Sequence, residues 1–198
     1  MNLFLEGTRE IGKSSMILHA LRKSSAQRSG YMTQRLFEGR RLIGFRVLPI
    51  SRELCSVEAE YRPDMDGVFL LNGCRNISVL EHTISETLMQ AKNNKIKLIV
   101  LDEIGGVELT SKLFTDTLYE LLTMGKPCIG VLKSLDNLEH TIKSLGLNSE
   151  YIALNSELRS FIQSNGQLLT VTDTNKDSIS CMINEYISLL PKVNRNYS

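Results

Sequence analysis

Short apolar runs alternate with amphipathic stretches along most of this chain, which is the pattern of an α/β protein. The runs KLIVL at 97–101 and PCIGVL at 127–132 are apolar at almost every position, which predicts strands buried on both faces. The predicted strands are 2–6, 67–71, 97–101, 127–132, 151–154 and 167–172, and the predicted helices are 13–24, 78–93, 110–124, 136–145, 156–164 and 175–190. The side chains predicted to form the buried face of the third helix are Leu113, Phe114, Leu118, Leu121 and Leu122. We therefore expect a mostly parallel sheet that is flanked by helices on both faces.

A β-hairpin is predicted where apolar and polar residues alternate, in GYMTQRLFEGRRLIGFRVLPI at 30–50, with its turn at Glu38–Gly39. This hairpin would extend the sheet with antiparallel strands. Residues 51–77 carry no clear period, apart from the short strand predicted near their end. Residues 1–190 are predicted to form a single domain, and residues 191–198 (PKVNRNYS) a flexible tail.

The first predicted strand runs directly into GTREIGKSS at 7–15, and the first predicted helix follows. This strand–loop–helix order, with the spacing GxxxxGK[ST], is typical of a phosphate-binding loop. The backbone N–H groups of such a loop bind phosphate oxygens, its lysine reaches the β- and γ-phosphates, and its hydroxyl binds Mg²⁺. Lys13 is therefore predicted to be catalytic and Ser14 to be a metal ligand. The residues predicted to bind the nucleotide are Gly7, Thr8, Arg9, Glu10, Ile11, Gly12, Lys13, Ser14 and Ser15.

A second chemical motif, KLIVLDEIGGVEL, places two carboxylates after a buried strand. The carboxyl ends of the strands are where α/β sheets bind their ligands. Asp102 is predicted to hold Mg²⁺ and to accept a hydrogen bond from Ser14. Glu103 is predicted to orient or deprotonate an attacking water. Together the two motifs predict hydrolysis of a nucleoside triphosphate.

The composition of this 198-residue chain argues against some classes of partner but does not identify a particular one. The net charge of +1 gives no field that attracts nucleic acid or an anionic membrane, and no stretch is long and apolar enough to span a bilayer. Four widely spaced cysteines form no CxxC pair, so we expect no zinc and reduced thiols in the cytoplasm. We expect a monomer whose partner is ATP, GTP or another nucleoside triphosphate.

The chain resembles the THEP-type nucleoside-triphosphatases, which are small P-loop proteins. The resemblance lies in GTREIGKSS, GYMTQRLFEGRRLIGF, LIVLDEIGGVEL and VTDTNKDSI, which occur in the order and at the spacing of that family. It implies the P-loop NTPase fold and slow, Mg²⁺-dependent hydrolysis of nucleoside triphosphates with little base selectivity. It also implies that Gly7, Gly12, Lys13 and Ser14 form the phosphate loop, and that Asp102 and Glu103 are the metal and water carboxylates.

The chain departs from that family in its phosphate loop and over residues 52–78. The loop carries Glu10 where the family usually has glycine, and Thr8 and Arg9 where it has prolines. A glutamate directed inward would repel phosphate, so we expect the Glu10 side chain to point to solvent and to pair with Arg9 or another neighbour.

Two other functions stay open from the sequence. One is a nucleoside or nucleotide kinase, whose acceptor pocket would be formed by residues 52–78 with Arg52, Arg62 and Arg75. The other is a nucleotide-binding switch that turns over little because of Glu10.

Three further cations have open interpretations at the sequence level. Arg40 and Arg41 at the hairpin tip are either solvated or stabilise γ-phosphate charge, and Lys133 is either a γ-phosphate sensor or a surface lysine.

Overall fold

One mixed sheet of nine strands organises the computed structural model, which describes residues 1–50 and 54–190. Its strands are β1 (Asn2–Gly7), β2 (Arg28–Glu38), β3 (Arg41–Pro49), β4 (Glu58–Glu60), β5 (Val68–Leu71), β6 (Cys74–Arg75), β7 (Leu98–Ile104), β8 (Cys128–Leu132) and β9 (Gly166–Val171). The helices are α1 (Lys13–Arg22), α2 (Ile77–Ala91), α3 (Lys112–Thr123), α4 (Leu135–Leu145), α5 (Glu150–Asn165) and α6 (Lys176–Ser188), with a 3₁₀ turn at Val107–Thr110. The spatial order is β6-β5-β3-β2-β7-β8-β1-β9, and β4 pairs with β2.

The centre of the sheet is parallel and buried on both faces. Successive side chains of a strand point to opposite faces, and here both sets are apolar. In β1, Leu3 and Leu5 pack with α1 and α6, whereas Phe4 packs on the opposite face with α2, α3 and α5. The predicted α/β architecture, with helices on both faces of a mostly parallel sheet, is confirmed.

Strand β2 belongs to both parts of the sheet. Its first residues, 28–31, pair in parallel with β7, and residues 31–38 pair antiparallel with β3. The predicted hairpin is therefore present, and its first strand also completes the parallel centre. The register of the hairpin shifts between Leu36 and Phe37, which marks a β-bulge near its outer end.

The strand predicted at 151–154 is wrong, because these residues lie inside α5. Tyr151, Leu158 and Ile162 are buried at helical spacing along that helix. A short apolar run such as YIAL fits a strand and a buried helix equally well, so the local pattern could not decide between them.

Smaller differences concern three other elements. Leu113 is predicted to lie on the buried face of its helix, but it is 53% exposed, because the buried face of α3 is formed by other positions, namely Phe114, Thr117, Leu118, Leu121 and Leu122. The helix itself begins at Lys112, two residues later than predicted. The predicted strand at 97–101 continues to Ile104, so Asp102 and Glu103 lie inside β7. The irregular segment 51–77 contains the short strands β4 and β6, which are too brief to leave a period in the sequence.

The tail predicted over 191–198 lies outside the described residues. Within the part of the chain that is described, no helix combines the length and the hydropathy needed to cross a membrane.

Candidate active site

The loop between β1 and α1 depends on two glycines. Gly7 has φ +141°, and a Cβ there would lie 2.6 Å from the carbonyl oxygen of Val171 on the neighbouring strand β9. Gly12 has φ +97° and caps α1 without a side-chain hydrogen bond to the N–H groups of that helix end. The loop therefore turns sharply out of the sheet and presents unpaired amides at a helix N-terminus, which favours binding of an anion.

Lys13 lies folded inside this loop. Its ammonium donates to the carbonyl oxygens of Gly7 (2.9 Å) and Thr8 (2.7 Å), and the residue is 6% exposed. Burial lowers the pKa of Lys13, whereas the nearby carboxylates Glu103 and Asp102 raise it. The cation is thus held by loop carbonyls at the place where phosphate oxygens would enter.

Asp102 connects the loop to β7 and β2. One carboxylate oxygen accepts from the Ser14 hydroxyl (2.8 Å), and the other accepts from the Thr33 N–H (3.0 Å). Parallel pairing of β2 with β7 ends at Tyr31–Leu101, so the Asp102 carboxylate takes up a backbone donor that the ladder no longer satisfies. The position of the carboxylate is therefore set by both neighbouring elements.

The protonation of Asp102 is shifted by its surroundings. Burial, and then the charge of Glu103, raise the pKa of Asp102 to about 7, whereas the bonds from Thr33 and Ser14 and the Lys13 charge act in the opposite direction. A carboxylate this buried needs a counter-charge to stay ionised at neutral pH. Among the described residues, no three His, Cys, Asp or Glu side chains form a metal cluster.

Glu103 and Asp102 both line the same cavity although they are consecutive residues of a strand. In regular strand geometry they would face opposite sides of the sheet. Glu103 has a left-handed backbone (φ +58°), and the β7–β8 register shifts between Leu101 and Ile104. This irregularity turns both carboxylates toward the loop, and such strain is common at functional sites.

The Glu10 side chain points out of the loop, as expected, but its partner is neither Arg9 nor a residue nearby in sequence. Its carboxylate is 74% exposed and accepts from Arg35 on β2 at 2.9 Å. The same guanidinium binds Glu58 on β4 at 2.7 Å. Arg9 instead reaches the Thr141 hydroxyl on α4 at 3.4 Å.

A cavity of about 370 Å³ opens from the loop toward the antiparallel part of the sheet. One end is polar and contains Lys13, Ser14, Asp102 and Glu103. The other end is apolar, and its wall includes Leu42, Phe45, Phe69, Leu70, Leu80 and Val107. The rings of Phe45 and Phe69 stack with centroids 6.3 Å apart. The cavity therefore extends past the acidic pair into a compartment that is suited to an apolar group.

Sequence reasoning missed several residues around this cavity. Glu108 is buried, and its carboxylate accepts from the N–H groups of Gly105 (2.7 Å) and Gly106 (2.8 Å), which follow Glu103 and Ile104 in the chain. Burial raises the pKa of Glu108, and nearby Lys133 lowers it. A carboxylate in the otherwise apolar run GGVEL was the signal that could have identified it.

Two further contacts were missed because no local pattern announces them. Asn137 on α4 donates to the Gly7 carbonyl at 3.1 Å, and Thr33 donates to Asp102 from β2. Both residues are far from the loop in sequence and reach it through the sheet topology. They support the loop and the carboxylate from outside.

Other cations considered from the sequence have different positions. Lys133 lines the cavity, whereas Arg40 and Arg41 are exposed at the hairpin tip and do not line it. Arg62 and Arg75 are also exposed and away from the cavity wall. Arg52, the third arginine of the predicted acceptor pocket, lies outside the described residues.

Comparison with known proteins shows the family of the chain. The sequence model of the family described as NTPase matches residues 2–184 of the chain. The chain is 26% identical to nucleoside-triphosphatase THEP1 of Thermotoga maritima over 134 residues, which is 67% of this chain and 74% of the relative. It is 24% identical to nucleoside-triphosphatase THEP1 of Saccharolobus solfataricus over 197 residues, which is 94% of this chain and 93% of the relative.

Two solved structures share the fold. The crystal structure of THEP1 from Aquifex aeolicus has a TM-score of 0.61 at 19% identity and covers 94% of this chain and 99% of its own. The solution structure of a human cancer-related nucleoside triphosphatase has a TM-score of 0.62 at 24% identity, covering 94% of this chain and 96% of its own. At these identities the likeness concerns the fold alone.

Proposed function

The chain belongs to the NTPase family, and from that premise we propose that it hydrolyses ATP, GTP and other nucleoside triphosphates to the diphosphate and phosphate, with Mg²⁺. The observation that carries the proposal is the 2.8 Å contact between Ser14 of the loop and Asp102 of β7, with Glu103 beside it. Lys13 and Ser14 of the loop line one cavity together with Asp102 and Glu103, which supports binding of phosphate beside a metal ion and a water.

The phosphate chain would lie in the loop formed by residues 7–15. The amides at the start of α1 would bind its oxygens, and Lys13 would exchange the Gly7 and Thr8 carbonyls for the β- and γ-phosphates. This exchange places the cation where negative charge develops as the γ-phosphoryl group leaves.

Ser14 and Asp102 would hold the magnesium ion. Their donor set fits, because a hydroxyl and a carboxylate oxygen already lie 2.8 Å apart and hard oxygen ligands suit this ion. When held by these residues, the ion would supply positive charge that offsets the phosphate charge. Its charge would also keep Asp102 ionised despite burial, which otherwise raises the pKa of this carboxyl to about 7.

Glu103 would position the attacking water and take its proton. The left-handed backbone at Glu103 turns its carboxylate into the cavity beside Asp102, which supports this role. A positioned general base of this kind contributes about 10²–10⁴-fold to the rate.

The test is Glu103→Gln, which keeps the shape of the side chain and removes the base. We expect turnover to fall by about 10²–10⁴-fold while binding of a non-hydrolysable triphosphate is retained. The matched control is Glu38→Gln, which removes the same charge from the exposed end of β2 and should leave both measurements unchanged. Unaltered turnover in Glu103→Gln would refute the role of Glu103. Wild-type binding without turnover would instead favour the nucleotide-binding switch.

A second candidate is transfer of the γ-phosphoryl group to a small acceptor, and the apolar end of the cavity favours it. Water does not need a wall of phenylalanine and leucine beyond the acidic pair. In this reaction the acceptor oxygen would bond to the γ-phosphorus, the bond to the β–γ bridging oxygen would break, and Glu103 would take the acceptor proton. Nucleotide consumption and free phosphate, measured with and without nucleosides, separate the two functions. Stoichiometric phosphate release in every case would exclude transfer.

We also propose a monomer that works in the cytoplasm and binds no nucleic acid. Cys55, Cys74, Cys128 and Cys181 are free thiols, which supports a reducing compartment, and the net charge of +1 gives no attraction for nucleic acid. Light scattering of the purified chain would measure its mass in solution.

A further inference from the structure

We propose that Arg35 binds the γ-phosphate of a bound triphosphate and otherwise pairs with Glu10 and Glu58. The triphosphate and Glu10 therefore compete for one guanidinium. This inference rests on the proposed function, because it requires a nucleotide in the loop of residues 7–15. It assigns a purpose to the glutamate that the chain carries in this loop.

The guanidinium of Arg35 bridges three separate elements. One of its nitrogens donates to Glu10 of the loop at 2.9 Å, and another donates to Glu58 of β4 at 2.7 Å. Both carboxylates are well exposed, at 74% and 49%, whereas the Arg35 side chain is 25% exposed. Exposed ion pairs contribute little net free energy, so the bond to Glu10 can be exchanged at small cost.

The position of Arg35 along β2 directs it toward the phosphate site. Arg35 lies two residues after Thr33, and alternate residues of a strand face the same side of the sheet. Thr33 binds Asp102, and both Thr33 and Arg35 line the cavity. Lys13 lines the same cavity as Arg35. The guanidinium thus borders the place where the γ-phosphate would meet Lys13.

The chemistry of the partners favours exchange when a triphosphate binds. A guanidinium binds phosphate through a planar pair of N–H groups, and such bonds are stronger than those to a single exposed carboxylate oxygen. The pair with Arg35 neutralises Glu10, which has a left-handed backbone (φ +62°) within the loop. A diphosphate lacks the γ-phosphate, so it would leave the pair between Glu10 and Arg35 intact. The exchange would therefore act as discrimination between triphosphate and diphosphate.

A double-mutant cycle tests this inference. The measured quantity is the ratio of the affinities for a non-hydrolysable ATP analogue and for ADP, each with Mg²⁺, by calorimetry. Direct repulsion by Glu10 weakens the binding of both nucleotides, so the ratio of their affinities reports mainly on the contact with the γ-phosphate. The proteins are the wild type, Glu10→Gln, Arg35→Ala and the double variant.

We expect Glu10→Gln to raise the ratio by about fivefold and Arg35→Ala to lower it by about tenfold, as for loss of a charge-assisted hydrogen bond. In the double variant the ratio should equal that of Arg35→Ala, because removing the Glu10 carboxylate frees no guanidinium once Arg35 is absent. Arg40→Ala and Glu38→Gln, which remove exposed charges of the same hairpin, should leave the ratio unchanged.

Other results would overturn the inference. If Glu10→Gln raises the affinity ratio as much, or more, in the Arg35→Ala background as in the wild type, then Arg35 only neutralises Glu10. An unchanged ratio in Arg35→Ala, with thermal unfolding showing a folded protein, would exclude contact with the γ-phosphate. If the wild type binds neither nucleotide at millimolar concentration, the proposed function itself fails, and that outcome is distinct from these two.

Discussion

The parallel centre and the antiparallel extension of the sheet are stabilised by different kinds of interaction. Every residue of β8 is buried, and both of its faces are covered by apolar side chains from helices. In the extension, every residue of β5 is only half-buried, and β4 is held to the loop by the exposed ion pairs of Arg35. The centre is stabilised mainly by dense apolar packing, and the extension is stabilised by weaker contacts that are exposed to solvent.

This difference matches a division of chemical tasks. The loop, Ser14 and Asp102 are positioned by β1 and β7 of the centre, where small displacements would be costly. Arg35 and the part of the apolar wall formed by Leu42, Phe45, Phe69 and Leu70 lie in the extension, where contacts are more exposed to solvent. Substitutions in the centre should therefore alter stability and rate strongly, and those in the extension should alter ligand preference.

The largest expected effect is loss of stability from Leu101→Ala in β7. Leu101 has no exposed surface, and truncation of such a leucine costs about 2–5 kcal/mol through lost transfer free energy and a residual cavity. Urea unfolding measures the change. Leu113→Ala is the matched control, since that leucine is 53% exposed and should lose less than about 0.5 kcal/mol. Equal losses at the two positions would break the comparison.

The next effect concerns rate at the edge of the centre. Lys13→Ala should lower turnover by about 10²–10³-fold, because it removes a cation aimed at developing phosphate charge. Lys23→Ala, at the exposed C-terminal end of the same helix, should leave turnover within twofold, on the order of a neutral surface change. A Lys13 variant with wild-type turnover would contradict the role of the loop.

The smallest effect lies in the extension. Phe69→Ala should cost about 1 kcal/mol of stability, since the ring is half-buried and its loss opens an existing cavity. Hydrolysis with water as acceptor should stay within about twofold, because Phe69 lies beyond the acidic pair. Urea unfolding and phosphate release on the same variant measure both quantities. A large loss of hydrolysis would show that the apolar wall shapes the water reaction as well.

The sequence was sufficient for the centre because its signals are local. The apolar runs predict the strands of the parallel sheet, and GTREIGKSS after a strand predicts the loop that the structure contains. The adjacency of Ser14 and Asp102 also followed, since the carboxyl ends of parallel strands meet at one edge of a sheet.

The remaining features depend on contacts between residues that are distant in the sequence, and no local pattern predicts such contacts. Arg35 meets Glu10 across 25 positions because β2 folds back beside the loop, and the sequence offered Arg9 as a nearer partner. Thr33 binds Asp102 only because two strands diverge after Tyr31 and Leu101. The run at 151–154 belongs to a helix because its buried positions continue at helical spacing beyond the run, at Leu158 and Ile162.

Strand β2 has a mechanical consequence for this arrangement. Because β2 passes without interruption from the parallel centre into the hairpin, Thr33 and Arg35 would move together with the strand. The bulge between Leu36 and Phe37 is the first position outward along β2 where the strand can bend. Bending of the hairpin tip at this bulge would therefore widen or narrow the cavity mouth and leave the bond from Thr33 to Asp102 in place.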